Sequence, residues 1–298
     1  MNAFLFPGQG AQYVGMGKSL YDRFPAARDV FDRANALLGF DLAKVCFDGP
    51  EADLTRTDIS QPAILACSMA ALAAMGNPRC DAAAGLSLGE YTALVCAGAI
   101  DLDDALPLVR DRGHFMQQAS AQHPGTMASI IALSREQVDD LVREASQTGT
   151  VAVANLNSPG QTVISGEVPA VEKACEIAKL MGAKLTVKLS VSGAFHSPLM
   201  QPARTQLEAR LKSLAIRAPR FIVVSNVTGK PVRTAEQVRE YLARQVTSPV
   251  LWEDAMRHLC GLGIGEFCEI GPGRVLAGLM KRINPAATVK NVDGAETI

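Results

Sequence analysis

Apolar and polar positions divide the chain into three stretches of different texture. In residues 1–124, short all-apolar runs alternate with longer segments of helical period. Ala3–Phe6 is an apolar run stopped by Pro7-Gly8 and reads as a buried strand. Tyr21–Leu38 has helical spacing, interrupted at Phe24-Pro25, so two helical pieces are predicted. Gln61–Met75 reads as a helix of small residues with Pro62 near its start, where a missing N–H is harmless. Ala82–Gly85 predicts a strand and Glu90–Ala97 the helix leaving it. Asp101, Asp103 and Asp104 all offer caps for the next helix. With Asp104 as cap, Pro107 falls at the third helical position, whose N–H has no partner in any case.

Residues 125–190 have a different rhythm. "TMASIIAL" is strand-like, and "SREQVDDLVREAS" is helical with Ser134 as cap and Gln137 three residues on. "VAVANLN" and "QTVISG" are strands joined by the turn signal "NSPG". The helix "VPAVEKACEIAKLMG" and the strand "AKLTVKL" complete a βαββαβ order, which predicts a ferredoxin-like small domain. In residues 191–298 the first texture resumes. Phe221–Gly229 reads as a buried strand, Ala235–Gln245 and Trp252–Leu262 as helices, and "GEFCEIGPG" as a final strand running into a turn. Strands alternating with helices in both outer stretches imply a mostly parallel sheet, so the fold class is α/β with the small domain inserted into the large one.

Composition narrows the function classes. At 298 residues and 48% hydrophobic, the chain can bury one large core and one small one. A formal net charge of -1 without any Lys/Arg run argues against a nucleic-acid partner. Seven scattered cysteines with no C-x-x-C read as reduced thiols of a cytoplasmic protein. Four histidines, none at i,i+4 spacing, argue against a metal site. "MNAFLFPGQG" has no basic segment followed by a long apolar one and is expected not to be a signal peptide, and no apolar run is long enough to span a membrane.

The candidate chemistry centres on "AGLSLGEYTALVCAGAI", where Ser87 lies between Gly85 and Gly89. A G-x-S-x-G at a strand-to-helix junction can form a nucleophile elbow, with the hydroxyl pushed out of a tight turn. Such a serine needs a base. His114 and His258 fall in amphipathic helices, and His123 precedes Pro124 at a crossover. His196 stands apart, in the small-residue loop "SVSGAFHSPLM" just after the small domain.

Six motifs in order carry a family resemblance: "FLFPGQGAQYVGMG", "GLSLGEY", "RGHFMQ", "NSPGQTVISG", "GAFHSPLM" and "EIGPGRVL". Over nearly the whole chain the sequence resembles the malonyl-CoA:acyl carrier protein transacylases, the acyltransferases of fatty acid and polyketide synthesis. The resemblance implies an α/β-hydrolase-like domain (residues 1–124 and 191–298) carrying the ferredoxin-like insertion at 125–190. It implies Ser87 as nucleophile, His196 as base, and the backbone N–H groups of Gln9 and Leu88 as the oxyanion hole. It implies Arg112 as the clamp on the malonyl carboxylate, which a planar guanidinium can grip with two parallel hydrogen bonds. Phe195 and Asn157 are further candidate substrate-binding residues, the phenyl ring filling space that an α-methyl would need.

In place of the carboxylate of a hydrolase triad, the resemblance assigns the orientation of His196 to a backbone carbonyl at Gln245. Malonyl-CoA is then a substrate, an acyl carrier protein the second one, and no metal or resident cofactor is expected. The protein is expected to be a monomer. Lys184, Lys188, Arg204, Arg274, Lys281 and Arg282 are candidates, by charge alone, for meeting the acidic carrier. Where members of the family often have His before the nucleophile, this chain has Leu86. Two other readings stay open: a free-standing acyltransferase of a polyketide assembly line, and a serine acyl hydrolase. Arg112 speaks against the hydrolase, which gains nothing from selecting malonyl.

Overall fold

A computed structural model describes residues 1–298. The chain opens with strand β1 (Asn2–Phe6), then helices α1 (Lys18–Arg23), α2 (Pro25–Leu38), α3 (Leu42–Asp48), α4 (Glu51–Leu54) and α5 (Thr57–Ala74). Strand β2 (Ala82–Gly85) leads into α6 (Leu88–Cys96) and α7 (Leu102–Gln122). The small unit follows as β3 (Thr126–Ile131), α8 (Arg135–Ala145), β4 (Val151–Ser158), β5 (Gln161–Gly166), α9 (Val168–Leu180) and β6 (Leu185–Lys188). The chain ends with α10 (Gln201–Lys212), β7 (Ile222–Val224), β8 (Pro231–Val232), α11 (Ala235–Gln245), α12 (Trp252–Gly261), β9 (Glu266–Ile270), α13 (Val275–Ile283) and β10 (Thr288–Val292).

Two sheets result. The larger has the order β10-β9-β1-β2-β7-β8 and is parallel except for the β7–β8 pair. Period two along β1 explains how it is covered. Phe4 and Phe6 join a cluster of 55 buried residues on one face, while Ala3 and Leu5 join a 16-residue cluster with α12 and α13 on the other. The smaller sheet has the order β4-β5-β3-β6 with every pair antiparallel, the ferredoxin-like arrangement. One of its faces packs on α8 and α9 through 14 buried residues. The other turns Met127, Asn155, Asn157, Gln161 and Val163 toward a cavity shared with the larger sheet. No helix is long and apolar enough to cross a membrane.

The sheets are joined by main chain as well as side chains. Leu156 N donates to Val250 O at 2.9 Å and Val250 N to Ala154 O at 2.8 Å, so β4 continues as a bridge to the segment before α12. Arg135, at the start of α8, grips both Glu253 and Asp254 of α12. These contacts hold the walls of the cavity at fixed spacing.

Several elements depart from the reading of the pattern. Helix α5 begins at Thr57, so Pro62 lies inside it. The pattern starts this helix at Gln61, yet Thr57, Asp58 and Ser60 are already helical and buried. Helix α7 begins at Leu102, with Asp101 rather than Asp104 at the cap position and Pro107 inside the helix. The Asp101 carboxylate is taken by Arg217 at 2.9 and 2.8 Å, which leaves the cap without a side-chain bond. The strand expected over Phe221–Gly229 stops at Val224, because Asn226 turns away to bond the elbow while Ser225 N pairs with Lys230 O. Strand β9 is followed by β10, a short edge strand whose exposed Thr288 and Lys290 hide it from an apolar-run search.

The junction β2–α6 depends on glycine. A Cβ on Gly85 would lie 1.9 Å from Gly89 C, and one on Gly89 would lie 2.1 Å from Phe6 O. Backbone stands where a side chain would go, so neither clash relaxes cheaply. Gly85→Ala should cost about 3 kcal/mol, the upper end for overpacking. Gly278→Ala, on open surface in α13, should instead stabilise by roughly 0.5–1 kcal/mol. Chemical denaturation midpoints check both, and a Gly85→Ala midpoint equal to wild type would contradict the packing argument.

Candidate active site

Ser87 sits at φ 53, ψ -103, a conformation that L-residues seldom adopt. The surrounding structure forces it. Asn226 spans the turn, accepting from Ser87 N at 2.7 Å and donating to Gly85 O at 2.8 Å. The hydroxyl therefore projects from the turn rather than capping α6. His196 is also in the left-handed region, at φ 57, and its loop is pinned by Ser197 Oγ donating to Ala194 O at 2.6 Å. Two such residues facing each other mark a site where backbone strain is held by packing.

The geometry assigns the protons. His196 Nδ1 lies 2.8 Å from Gln245 O, and a carbonyl only accepts, so Nδ1 carries the hydrogen of the neutral ring. Nε2 is then the acceptor, 2.8 Å from Ser87 Oγ. Arg112 Nη2 donates to the same Oγ at 3.1 Å, occupying a lone pair and leaving the hydroxyl proton for His196. Burial first, and then the positive charge of Arg112, lower the His196 pKa to about 4; the carbonyls of Gln245 and Ser248 oppose this.

Arg112 is 1% exposed. It reaches the site because Gly113 lets α7 lie directly on α5: a Cβ there would be 2.4 Å from Thr57 O. Its Nη1 donates to Gln61 Oε1 at 2.8 Å and its Nη2 to Gln245 Oε1 at 2.9 Å, and the Tyr91 ring lies under the guanidinium at 5.3 Å. No carboxylate pairs with it directly, so its charge is held by neutral dipoles and remains available to an anion.

The Pro7-Gly8 turn rests on the elbow, close enough that a Cβ on Gly8 would be 2.3 Å from Leu86 O. The amides of Gln9 and Leu88 have no acceptor within the protein. The Gln9 side chain is tethered by Nε2 to Thr57 Oγ1 at 3.3 Å. Above the elbow lies a cavity of about 590 Å³. Ser87 and His196 line it, with Gln9 and Leu86 from the large sheet side, Asn155 and Asn157 from β4, and Phe195 from the loop. Asn157 Oδ1 is buried without a partner.

All eight candidate residues thus fall at one place: Ser87 Oγ meets His196 and Arg112, His196 meets the Gln245 carbonyl, Gln9, Phe195 and Asn157 line the same cavity, and Leu88 follows Ser87. The other histidines do not approach it; His114 meets Gln118 on the surface. Reading along the chain missed Gln61, Glu90, Tyr91, Asn155 and Asn226. Only Glu90 left a signal, as a carboxylate in the first turn of an otherwise apolar helix.

A nucleophile elbow on a parallel sheet, a histidine, a buried arginine and two free amides define an acyltransferase or acyl hydrolase of the serine type. The sequence pattern of the acyl transferase domain family matches residues 3–296, and the chain belongs to that family. The malonyl CoA-acyl carrier protein transacylase of Bacillus subtilis strain 168 is 43% identical over 299 residues, covering 99% of this chain and 94% of that one. The crystal structure of the malonyl CoA-acyl carrier protein transacylase from Clostridium perfringens has a TM-score of 0.96 at 43% identity, covering 99% of this chain and 94% of that one. A malonyl-transacylase in complex with its type II PKS acyl-carrier protein also has a TM-score of 0.96, at 41% identity, covering 99% and 97%.

The lowered His196 pKa has a sign that can be measured. A base must be neutral, and His196 is neutral in the free protein down to about pH 4 rather than 6.5. The pH profile of kcat/KM for acylation of Ser87 should keep its rate through pH 5–6 and fall only toward pH 4. An acid limb centred at 6.5 would contradict it.

Proposed function

We propose that the chain transfers malonyl from malonyl-CoA to the phosphopantetheine thiol of an acyl carrier protein, through a malonyl ester on Ser87. His196 Nε2 takes the hydroxyl proton as Ser87 Oγ attacks the thioester carbonyl. The oxyanion is received by the amides of Gln9 and Leu88, the second at the N-terminus of α6. The C–S bond breaks, the CoA sulfur takes the proton from His196, and CoA departs. The carrier thiol then gives its proton to His196 and attacks the ester carbonyl, and Ser87 leaves with that proton. Every step uses a group of the chain or of the two substrates, with no resident cofactor. Both substrates are those of the cytoplasm, where we place the protein.

The observation that carries this reading is Arg112, buried and in contact with the nucleophile's oxygen. A hydrolase would need no such group, whereas a three-carbon diacid thioester presents its free carboxylate a short distance from the carbon that Ser87 attacks. The two transferase readings share malonyl transfer, which the relatives named above favour over hydrolysis; competition between fatty-acid and polyketide carriers would separate the pathways. Arg282, one of the six basic candidates, donates to Gln161 Oε1 on the cavity wall, which supports a carrier approach from that side.

Mixing with malonyl-CoA should add one malonyl mass to the intact chain, absent in Ser87→Ala. Arg112→Ala should lower malonyl-CoA kcat/KM by about 10²–10³-fold, the range expected for truncating a buried charge pair, and raise the preference for acetyl-CoA. An unchanged malonyl-to-acetyl ratio would overturn the clamp.

Phe195, 5% exposed and on the cavity wall, should limit acyl branching. Phe195→Ser should raise methylmalonyl transfer relative to malonyl by about tenfold, the scale of one methyl group. No change in a direct competition assay would remove Phe195 from selection.

A further inference from the structure

Behind the site lies a carboxylate that this chemistry does not use. Glu90 is 1% exposed and sits three residues after the nucleophile, in the first turn of α6. Its Oε2 accepts from Gln245 Nε2 at 2.6 Å and from Asn226 N at 3.2 Å. Gln245 is itself wholly buried, and both ends of its amide are engaged. Nε2 also donates to Ser87 O at 2.9 Å, while Oε1 accepts from Arg112 Nη2 at 2.9 Å.

An amide has two orientations of nearly the same shape and opposite polarity. Turned over, Gln245 would set its N–H groups against a guanidinium that can only donate. Its oxygen would face Glu90 Oε2 and Ser87 O, which accept. The observed orientation satisfies all three groups, and Glu90 is the acceptor that favours it. Burial pushes the Glu90 carboxyl up to about 7, against its hydrogen bonds and Arg112. A proton on Oε1 would leave Oε2 an acceptor, so the bond to Gln245 does not depend on the charge.

We propose that Glu90 is a positioning residue for acyl selection: by taking the Gln245 N–H it holds Gln245 Oε1 toward Arg112, and so aims the guanidinium at the far carboxylate of the acyl chain. The proposal rests on the reading of Arg112 as the acyl clamp. It also gives the absent triad carboxylate a counterpart one residue removed, acting on the arginine rather than on the histidine.

The test uses the full chain and three readouts: Ser87 adduct formation from malonyl-CoA and from acetyl-CoA, labelling of Ser87 by an uncharged fluorophosphonate, and thermal melting. In folded Glu90→Leu the malonyl-to-acetyl ratio should fall about tenfold, and fluorophosphonate labelling should fall less than the malonyl rate does. Glu90→Gln, which keeps an acceptor oxygen without the charge, should keep the ratio within about threefold of wild type. Gln245→Met, which keeps the backbone carbonyl for His196, should show the same loss of ratio. The double variant with Glu90→Leu should be no worse than either single one. The proposal is overturned by an unchanged ratio in Glu90→Leu, by equal losses in Glu90→Gln and Glu90→Leu, by multiplying losses in the double variant, or by labelling that falls as far as malonylation. Should Glu90→Leu not fold, Gln245→Met decides, an unchanged ratio there being fatal. A wild-type protein without preference for malonyl over acetyl would instead sink the clamp reading itself.

Discussion

Three strands of backbone meet at the elbow with no room for a side chain between them. Gly85 lies against Gly89, Gly89 against the carbonyl of Phe6, and Gly8 against the carbonyl of Leu86. This contact turns β2 into α6 at Ser87 and presses the Pro7-Gly8 turn onto the result. It places the two free amides beside the nucleophile and gives the hydroxyl its direction. Asn226, just after the neighbouring strand β7, then locks the turn. The geometry of the site follows from main-chain packing, and side chains are added to a frame that already exists.

Around that frame the protein holds a buried cation and a buried carboxylate apart with a single amide. Arg112 and Glu90 are each 1% exposed, and Gln245 bridges them, oxygen to the guanidinium and nitrogen to the carboxylate. A direct pair would neutralise the guanidinium internally, whereas the bridge keeps its charge for an incoming anion. The same residue presents its main-chain carbonyl to His196. One position on α11 thereby serves the base through its backbone and the arginine through its side chain.

The positive charge of Arg112 also acts on the histidine. Together with burial it keeps the imidazole neutral well below the ordinary histidine range, the state in which Nε2 can accept a proton. A ring oriented by a carbonyl rather than a carboxylate has less tendency to hold a proton. Arg112 and His196 are therefore coupled electrostatically: an anion bound at Arg112 would offset the charge that depresses the His196 pKa.

Much of this was legible along the chain. Local rules act within a few residues, so the βαββαβ order, the capping box at Ser134 and Gln137, the glycines around Ser87 and the extent of α11 could be read from neighbours alone. The motifs, taken with the family they resemble, named Ser87, His196 and Arg112. What the chain could not disclose depends on partners distant in sequence. The polar start of α5 is helical because α7 covers it, and the strand after Phe221 ends early because Asn226 is needed at the elbow. Gln61, Asn226 and the amide of Gln245 look like ordinary polar residues until the fold removes water from them. Burial then makes each hydrogen bond obligatory, and only the tertiary structure decides which groups must satisfy one another.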